Sequence, residues 1–212
     1  MASKNTKQDI LDEALALFAV RGYDGVSVKD IAGAVGIKDS SLYKHYASKQ
    51  EIFDTLIKEM DEKFEQIVAR YQLPQGAIEK VARQYGENDL SWLKTAVRAI
   101  FVFFLKDEYA VKFRHMLMIE QFKNNKAANT FRNWFIDSAL GFQTNLFRQM
   151  MKYGYFTNGD PYTVALQFYG PLFLLLIIYD AKPNKADEAL DLLDKHVEQF
   201  ASLYENHEKE SK

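Results

Sequence analysis

The segment from Lys38 to Lys49 carries the side chains that are best suited to contact a nucleic acid. Hydroxyl, ammonium, imidazole and phenol groups are concentrated in it. Phosphate oxygens accept hydrogen bonds from lysine, serine and tyrosine, whereas base edges are contacted by side chains on a helix inserted into the major groove. The candidate contact residues, two of which lie upstream of the segment, are Ser27, Lys29, Lys38, Ser40, Ser41, Tyr43, Lys44, His45, Tyr46 and Lys49.

Two short predicted helices joined by a tight turn position these side chains. Ser27 can cap the first helix, and Asp30, three residues later, completes a capping box. Gly36 stands where a helix ends in a left-handed residue, which glycine adopts at low cost. Residues 38–45 predict the second helix, with Leu42 facing inward. This is the layout of a helix-turn-helix, and an ordinary pair of surface helices is the alternative.

The flanking sequence agrees with the first interpretation. An amphipathic helix that ends near Gly22 precedes the motif, and a further capping box at Ser48 and Glu51 opens a helix after it.

In this order the residues resemble the DNA-binding domain of TetR-type (tetracycline-repressor-like) bacterial regulators. The resemblance covers about residues 6–60 and rests on Gly-Tyr-x-Gly-x-Ser-Val, Ile-Ala, Val-Gly-Ile, Ser-Leu-Tyr-x-His-Tyr and Ser-Lys-x-Glu-Ile in one register. Some positions depart from the usual family pattern and leave the operator sequence open, namely Val35, Lys38, Ser41 and Tyr46.

The resemblance implies roles for individual residues. Tyr43, Tyr46 and Lys49 match family positions that contact phosphates, and residues 38–45 match the helix that enters the major groove. It also implies a repressor that binds a palindromic double-stranded operator as a homodimer and is released by a small-molecule effector.

Composition limits the other classes of function. The net charge of −2 argues against a protein that coats nucleic acid nonspecifically, so few phosphate contacts per subunit, and hence dimerisation, are expected. The chain has no cysteine, and its four histidines are scattered, so no metal site, cofactor or enzyme activity is expected. The longest apolar run, residues 172–179, is too short to cross a bilayer, which favours a cytoplasmic protein without a membrane partner.

Beyond residue 60 the pattern predicts helices and no strands, and hence an all-α fold. We expect a helix-turn-helix domain at residues 1–50 and a helical effector-binding and dimerisation domain at residues 51–212. Breaks are expected near residues 73–76, 86–89 and 123–126. A continuous helix is predicted for residues 127–153, a helix after the Asp160-Pro161 start signal, and a last helix from Lys185.

Two further surfaces are predicted in the helical domain. Aromatic and methionine side chains with a few polar groups suggest a largely apolar or aromatic effector pocket. Its candidate residues are Phe64, Phe101, His115, Met118, Gln121, Phe122, Phe131, Phe135, Phe142, Gln143 and Phe168. The last two helices are expected to form a four-helix bundle with a second copy. The residues predicted for this dimer interface are Val164, Phe168, Leu172, Leu175, Leu190, Leu193, Val197, Phe200 and Tyr204.

Two alternatives from other classes remain. One is an effector-independent DNA-binding protein whose second domain serves dimerisation or a protein partner. The other is a helical small-molecule-binding protein or enzyme in which the motif is structural.

Overall fold

A computed structural model describes residues 5–88, 90–122, 125–180 and 182–206. Within them the chain forms eleven α-helices and no strand, which confirms the all-α prediction. The helices are α1 Thr6–Arg21, α2 Val28–Val35, α3 Asp39–Leu42, α4 Lys49–Arg70, α5 Ile78–Glu87, α6 Leu90–Lys106, α7 Glu108–Glu120, α8 Asn125–Arg132, α9 Ser138–Lys152, α10 Pro161–Ile178 and α11 Ala186–Tyr204. A π-helical turn, Asn133–Asp137, joins α8 to α9, and a 3₁₀ turn, Pro183–Lys185, precedes α11.

Several helix ends follow from local capping, as expected. Asp160 accepts a hydrogen bond from the backbone N–H of Thr163, and Pro161 occupies the first helical position of α10. A break that the sequence analysis missed falls at Asp107, whose carboxylate accepts from the N–H of Ala110 and starts α7. Residues 123 and 124 of the predicted loop lie outside the described residues.

Contacts divide the chain into two units. The first contains residues up to 66 together with 107–131, and the second contains 67–106 and the residues from 132 onward. This division differs from the predicted boundary after residue 50, which stays a prediction about domains. The reason is that α7 packs along α1, with Ala110 and Phe113 fully buried, so the helix-turn-helix shares its core with a later helix. The Tyr109 hydroxyl also donates to the carbonyl of Leu56 on α4, at 2.8 Å.

Aromatic side chains build the core of the second unit. Phe147 lies between Phe156 and Phe168, with ring centroids at 5.2 and 5.7 Å, and Phe168 packs on Phe200 at 4.8 Å. The end of α11 is tied to the turn after α9, because the N–H of Thr157 donates to the carbonyl of Tyr204 at 2.8 Å.

Most residues predicted for the dimer interface are buried inside the second unit, and the dimer interface stays a prediction. The buried members are Val164, Phe168, Leu175, Leu190, Leu193, Val197 and Phe200, while Leu172 and Tyr204 are half-buried. Their three- and four-residue spacing is satisfied by packing within the chain. The apolar surface that α10 leaves exposed is a different one, here called the outer stripe. It consists of Tyr162, Leu166, Gly170, Leu174 and Ile178, at steps of four.

By length and composition α10 could cross a membrane, with a mean hydropathy of 1.6. Helices of this kind also occur in the cores and contacts of proteins without a membrane.

Candidate nucleic-acid interface

The start of α2 is held by the predicted capping box. The Ser27 hydroxyl oxygen accepts from the N–H of Asp30 at 3.1 Å, and the N–H of Ser27 donates to the Asp30 carboxylate at 2.7 Å. Two backbone donors that a helix N-terminus leaves unpaired are thereby satisfied. The hydroxyl of Ser27 is therefore engaged in capping, although the residue itself is exposed.

Gly36 makes the turn between the two helices. It has φ 76° and ψ 33°, the left-handed conformation that favours glycine. Its N–H donates to the carbonyl of Gly33, and the N–H of Ile37 donates to that of Ala32 at 2.9 Å. These two bonds form a Schellman motif, which ends α2 and turns the chain into α3.

The recognition segment is a four-residue α-helix followed by helical turns. Lys38 is the N-cap of α3 and makes no side-chain cap hydrogen bond. After Leu42 the N–H of His45 donates to the Leu42 carbonyl at 2.9 Å, and that of Tyr46 to the same carbonyl at 3.1 Å. The helical course therefore continues to Tyr46, and Leu42 is buried as predicted.

One face of this segment carries most of the predicted contact groups. Tyr43 is 53% exposed although it is a large aromatic residue, and Ser41 is half-buried. The other exposed groups in and beside the segment are Lys29, Lys38, Ser40, Lys44 and His45. The structure thus brings cationic, phenolic and hydroxyl groups together on a short helix that a buried leucine anchors. Such a set can bind phosphates and base edges at once.

Two residues assigned to phosphate contacts have other partners in the fold. Tyr46 is only 1% exposed, its hydroxyl donates to the carbonyl of Lys7, and burial among carboxylates raises its pKa to about 12. The Lys49 ammonium donates to the carbonyls of Tyr23 and Val26, both at 2.8 Å, and lies 4.1 Å from the Tyr23 ring centroid. Both residues therefore position the reading surface. Their partners are distant in sequence, so no local signal identifies them.

The ionisation of Asp30 makes the stability of the folded protein depend on pH. Its hydrogen bonds with Ser27, aided by Arg21, lower its pKa to about 2. A lowered folded-state pKa adds stability above the ordinary value near 4, and that contribution is lost as the pH falls towards 2.

We therefore expect Asp30→Asn to lower the melting temperature at pH 6 and the difference from the unmodified protein to shrink as the pH approaches 2. Thermal melts followed by circular dichroism from pH 7 to pH 2.5 measure this. Asp24→Asn, in the turn before α2, controls for the loss of an exposed carboxylate. A difference that is constant with pH would contradict the prediction.

The predicted effector residues are distributed over both units. Those in the first unit are Phe64, His115, Met118, Gln121, Phe122 and Phe131, and those in the second are Phe101, Phe135, Phe142, Gln143 and Phe168. Phe122 is 88% exposed and Phe142 is 43% exposed, so neither ring is enclosed. Phe168 packs on Phe200, and Phe135 lies 5.5 Å from Phe104, so these two rings fill the core. The effector pocket stays a prediction.

A polar groove of about 360 Å³ lies on the second unit. Its lining is Ser91, Lys94, Thr95, Arg98 and Glu198. Lys94 pairs with Glu198 at 2.6 Å and Arg98 with Asp194 at 2.5 Å, so ion pairs hold α6 to α11 there. Among the described residues no group of three His, Cys, Asp or Glu side chains is placed to hold a metal ion.

Sequence comparison covers the DNA-binding part. Residues 10–56 match the sequence model described as bacterial regulatory proteins, tetR family. The biofilm operon icaADBC HTH-type negative transcriptional regulator IcaR of Staphylococcus aureus (strain Newman) is 46% identical over 52 residues. That match covers 24% of this chain and 28% of IcaR, so the chain matches just over a quarter of this relative's length.

Solved structures match almost the whole chain. A protein from Mesorhizobium loti MAFF303099, described as of the TetR family of transcriptional regulators, has a TM-score of 0.65 at 21% identity, covering 97% of this chain and 99% of that one. The SmeT–triclosan complex has a TM-score of 0.66 at 18% identity, covering 96% and 93%. At these identities the likeness shows the fold.

The fold and the exposed recognition segment define a helix-turn-helix DNA-binding protein. The sequence match of residues 10–56 confirms the predicted resemblance to TetR-type transcriptional regulators in the DNA-binding part.

Proposed function

We propose that this protein is a cytoplasmic repressor, which binds a palindromic operator as a homodimer and leaves it when a small, largely apolar or aromatic effector binds. The exposed recognition face around Tyr43 is the observation that carries this proposal, because it groups phenolic, cationic and hydroxyl side chains on a short helix that buried Leu42 anchors. Repression by IcaR, whose DNA-binding part is similar, supports the sign of the effect. No enzyme activity is assigned.

The contacts divide by position on the interface. The helix that enters the major groove carries Lys38, Ser40 and Lys44, whose side chains can donate hydrogen bonds to base edges. Ser41 and His45 lie beside them. Tyr43 and Lys29 bind the phosphates on either side, and the N-terminus of α2 at Ser27 adds backbone donors. Tyr46 and Lys49 act on the same interface through the residues that they hold.

A fluorescence-anisotropy titration tests the proposal. The purified protein is titrated against duplex DNA from upstream of its own gene at 50 and 200 mM salt, with scrambled duplex as competitor. We expect saturable binding that resists the competitor, fits a dimer, and weakens as log Kd rises linearly with log salt. If the upstream duplex and a random-library selection both give no sequence preference, the DNA-binding proposal fails.

The outer stripe of α10 supports dimerisation. Its residues form a continuous apolar row, and a row this long is stabilised by a second helix in contact with it. Two copies of α10 and α11 would form the four-helix bundle, with the stripes facing each other across a two-fold axis. The two recognition helices of such a dimer can contact two half-sites that lie about one DNA turn apart. The same contact accounts for the hydropathy of α10 without a membrane.

Leu174→Arg is expected to give a monomer, because Leu174, 57% exposed, is the most exposed large side chain of the outer stripe. Operator affinity should fall about a hundredfold or more, since each subunit then binds its half-site alone. Sedimentation velocity measures the mass of the protein in solution, and fluorescence anisotropy measures its affinity for the operator. Phe142→Arg is the matched control because it also places arginine at an exposed aromatic or aliphatic site of the second unit, but on α9. If the Leu174→Arg protein is still a dimer, the outer stripe is not the dimer interface.

The effector is the least constrained part of the proposal. Dense aromatic packing in the second unit suits an apolar or aromatic molecule, and the similar fold of SmeT is known in complex with triclosan. Triclosan and a panel of other aromatic compounds are therefore the first probes. At a hundredfold excess over its Kd, an effector raises the melting temperature by about 5–10 °C. It should also release the operator. If nothing in a broad panel stabilises the protein while operator binding holds, the effector-independent alternative is correct.

A further inference from the structure

Between residues 127 and 144 the buried residues of α8, the π-turn and α9 change their spacing once. Ala127, Phe131 and Phe135 are buried at steps of four, Leu140 follows after a step of five, and Thr144 after another step of four. An α-helix turns about 100° per residue, so a step of five rotates a side chain about 140° past a full turn, against about 40° for a step of four. The π-helical turn absorbs the extra residue.

Two hydrogen bonds of Ser138 close the π-turn. The N–H of Ser138 donates to the carbonyl of Asn133, five residues back, and the Ser138 hydroxyl donates to the Asn133 side-chain oxygen at 3.2 Å. A π-helical turn is rare because its backbone geometry is less favourable than that of an α-helix, and it often marks a functional position. A contact from outside the helix can therefore help to hold the turn in this geometry.

Tyr169 of α10 makes such a contact. Its hydroxyl donates to the carbonyl of Phe135, inside the turn, at 2.5 Å. The Tyr169 ring stacks on Phe173 with centroids 6.2 Å apart, and the Phe135 ring packs edge-on against Phe104. Burial raises the pKa of Tyr169, which keeps the hydroxyl a donor at neutral pH. One fixed phenol thus holds a backbone carbonyl within the irregular turn.

The helix that carries Tyr169 is itself irregular at the next two residues. Pro171 lies inside α10, has no N–H for the carbonyl of Gln167, and follows Gly170. The neighbouring carbonyl of Phe168 lies 2.9 Å from Nε2 of His196. The hydrogen bond of Tyr169 therefore joins the π-turn to the irregular part of α10. The chain passes from the first unit to the second just before the π-turn, at residues 131 and 132.

The Lys126 ammonium of α8 pairs with the Asp54 carboxylate of α4 at 2.5 Å, so α8 contacts the helix that follows the recognition segment. We infer that Tyr169 is a positioning residue that locks the π-turn, and that this lock sets the helical register of α8 and, through its contact with α4, the operator affinity of the protein. Without the lock, the turn can return to α-helical bonding, which rotates the residues before it by about 100° about the helix axis. The part of the inference that concerns operator affinity rests on the proposed function, whereas the part that concerns the lock does not.

Tyr169→Phe tests the lock because it removes the hydroxyl and keeps the ring on Phe173. Tyr179→Phe is the matched control, since the Tyr179 hydroxyl, at the end of the same helix, donates to Glu188 instead. Hydrogen exchange of the amides of residues 133–138 is measured by mass spectrometry. Trp134 lies in the π-turn, so in a Trp92→Phe background its emission reports on the turn.

We expect exchange in residues 133–138 about tenfold faster and an altered Trp134 emission in Tyr169→Phe, with both unchanged in Tyr179→Phe. Operator affinity should change fivefold or more in Tyr169→Phe and less than twofold in the control.

Each other result decides against part of the inference. Unchanged exchange in Tyr169→Phe overturns the lock, whatever the DNA titration gives. Faster exchange with operator affinity within twofold makes the bond purely structural and overturns the positioning role. If the unmodified protein binds no operator, the proposed function fails on that titration, while the exchange data still decide whether Tyr169 locks the turn.

Discussion

Replacing Lys38 and Tyr43 together by alanine is expected to lower operator affinity about a thousandfold without changing the melting temperature. The proposed dimer loses four side chains, and a contact to DNA contributes about 1 kcal/mol or more, so the loss reaches about 4 kcal/mol. Both residues are exposed, and Lys38 makes no side-chain cap bond, so the free energy of unfolding should change by less than about 0.5 kcal/mol.

The same titration at two salt concentrations separates charge from geometry. Two ammonium groups per dimer are removed, so the slope of log affinity against log salt should fall by about 2 if Lys38 neutralises phosphates. The control is Lys58→Ala with Tyr71→Ala, which removes the same residue types from exposed sites away from the recognition segment. If both double variants bind equally well, the recognition face has been assigned to the wrong helix.

Gly22→Ala is expected to destabilise the protein by roughly 3 kcal/mol or more, from about 1–3 kcal/mol each for backbone strain and overpacking. Gly22 has φ 75° and ψ 166°, a region that is accessible essentially to glycine alone. A Cβ there would lie 2.0 Å from Oε1 of Glu120 and 3.0 Å from Cγ2 of Ile119. Glu120 is fully buried, so its carboxylate has little room to move away.

Urea unfolding followed at 222 nm measures this loss. Gly141→Ala, the control, adds the same methyl group in a helix where nothing lies within 4 Å of it. It should stabilise the protein by about 0.5–1 kcal/mol, because alanine favours a helix over glycine. Equal effects of the two substitutions would mean that the end of α1 tolerates a side chain and that α7 is not closely packed there.

Local signals account for the parts of the fold that the sequence predicts well. The bonds between Ser27 and Asp30, the left-handed Gly36 and the Asp160-Pro161 start each involve residues within a few positions of one another. The missed break at Asp107 had a local signal too, since an aspartate with glutamate after it typically starts a helix.

The remainder depends on contacts between residues that are distant in sequence. The spacing of Leu193, Val197 and Phe200 predicts a buried face correctly, but the same spacing fits a partner helix in this chain or in a second copy. Likewise, a lysine at position 49 looks available for phosphate until the fold brings two carbonyls to it. Periodicity indicates that a helix face is buried, whereas the fold shows which helix buries it.

The bonds of Lys49 have a mechanical consequence for regulation. Lys49 is the first residue of α4, and its ammonium is fastened to the loop between α1 and α2 through Tyr23 and Val26. When the first turn of α4 moves, that loop moves with it. Helices α1 to α3 therefore rotate with the start of α4 as one rigid body. Control of transcription then requires no unfolding or reshaping of α2 and α3. In the proposed dimer, a small rotation in each subunit would change the distance between the two recognition segments.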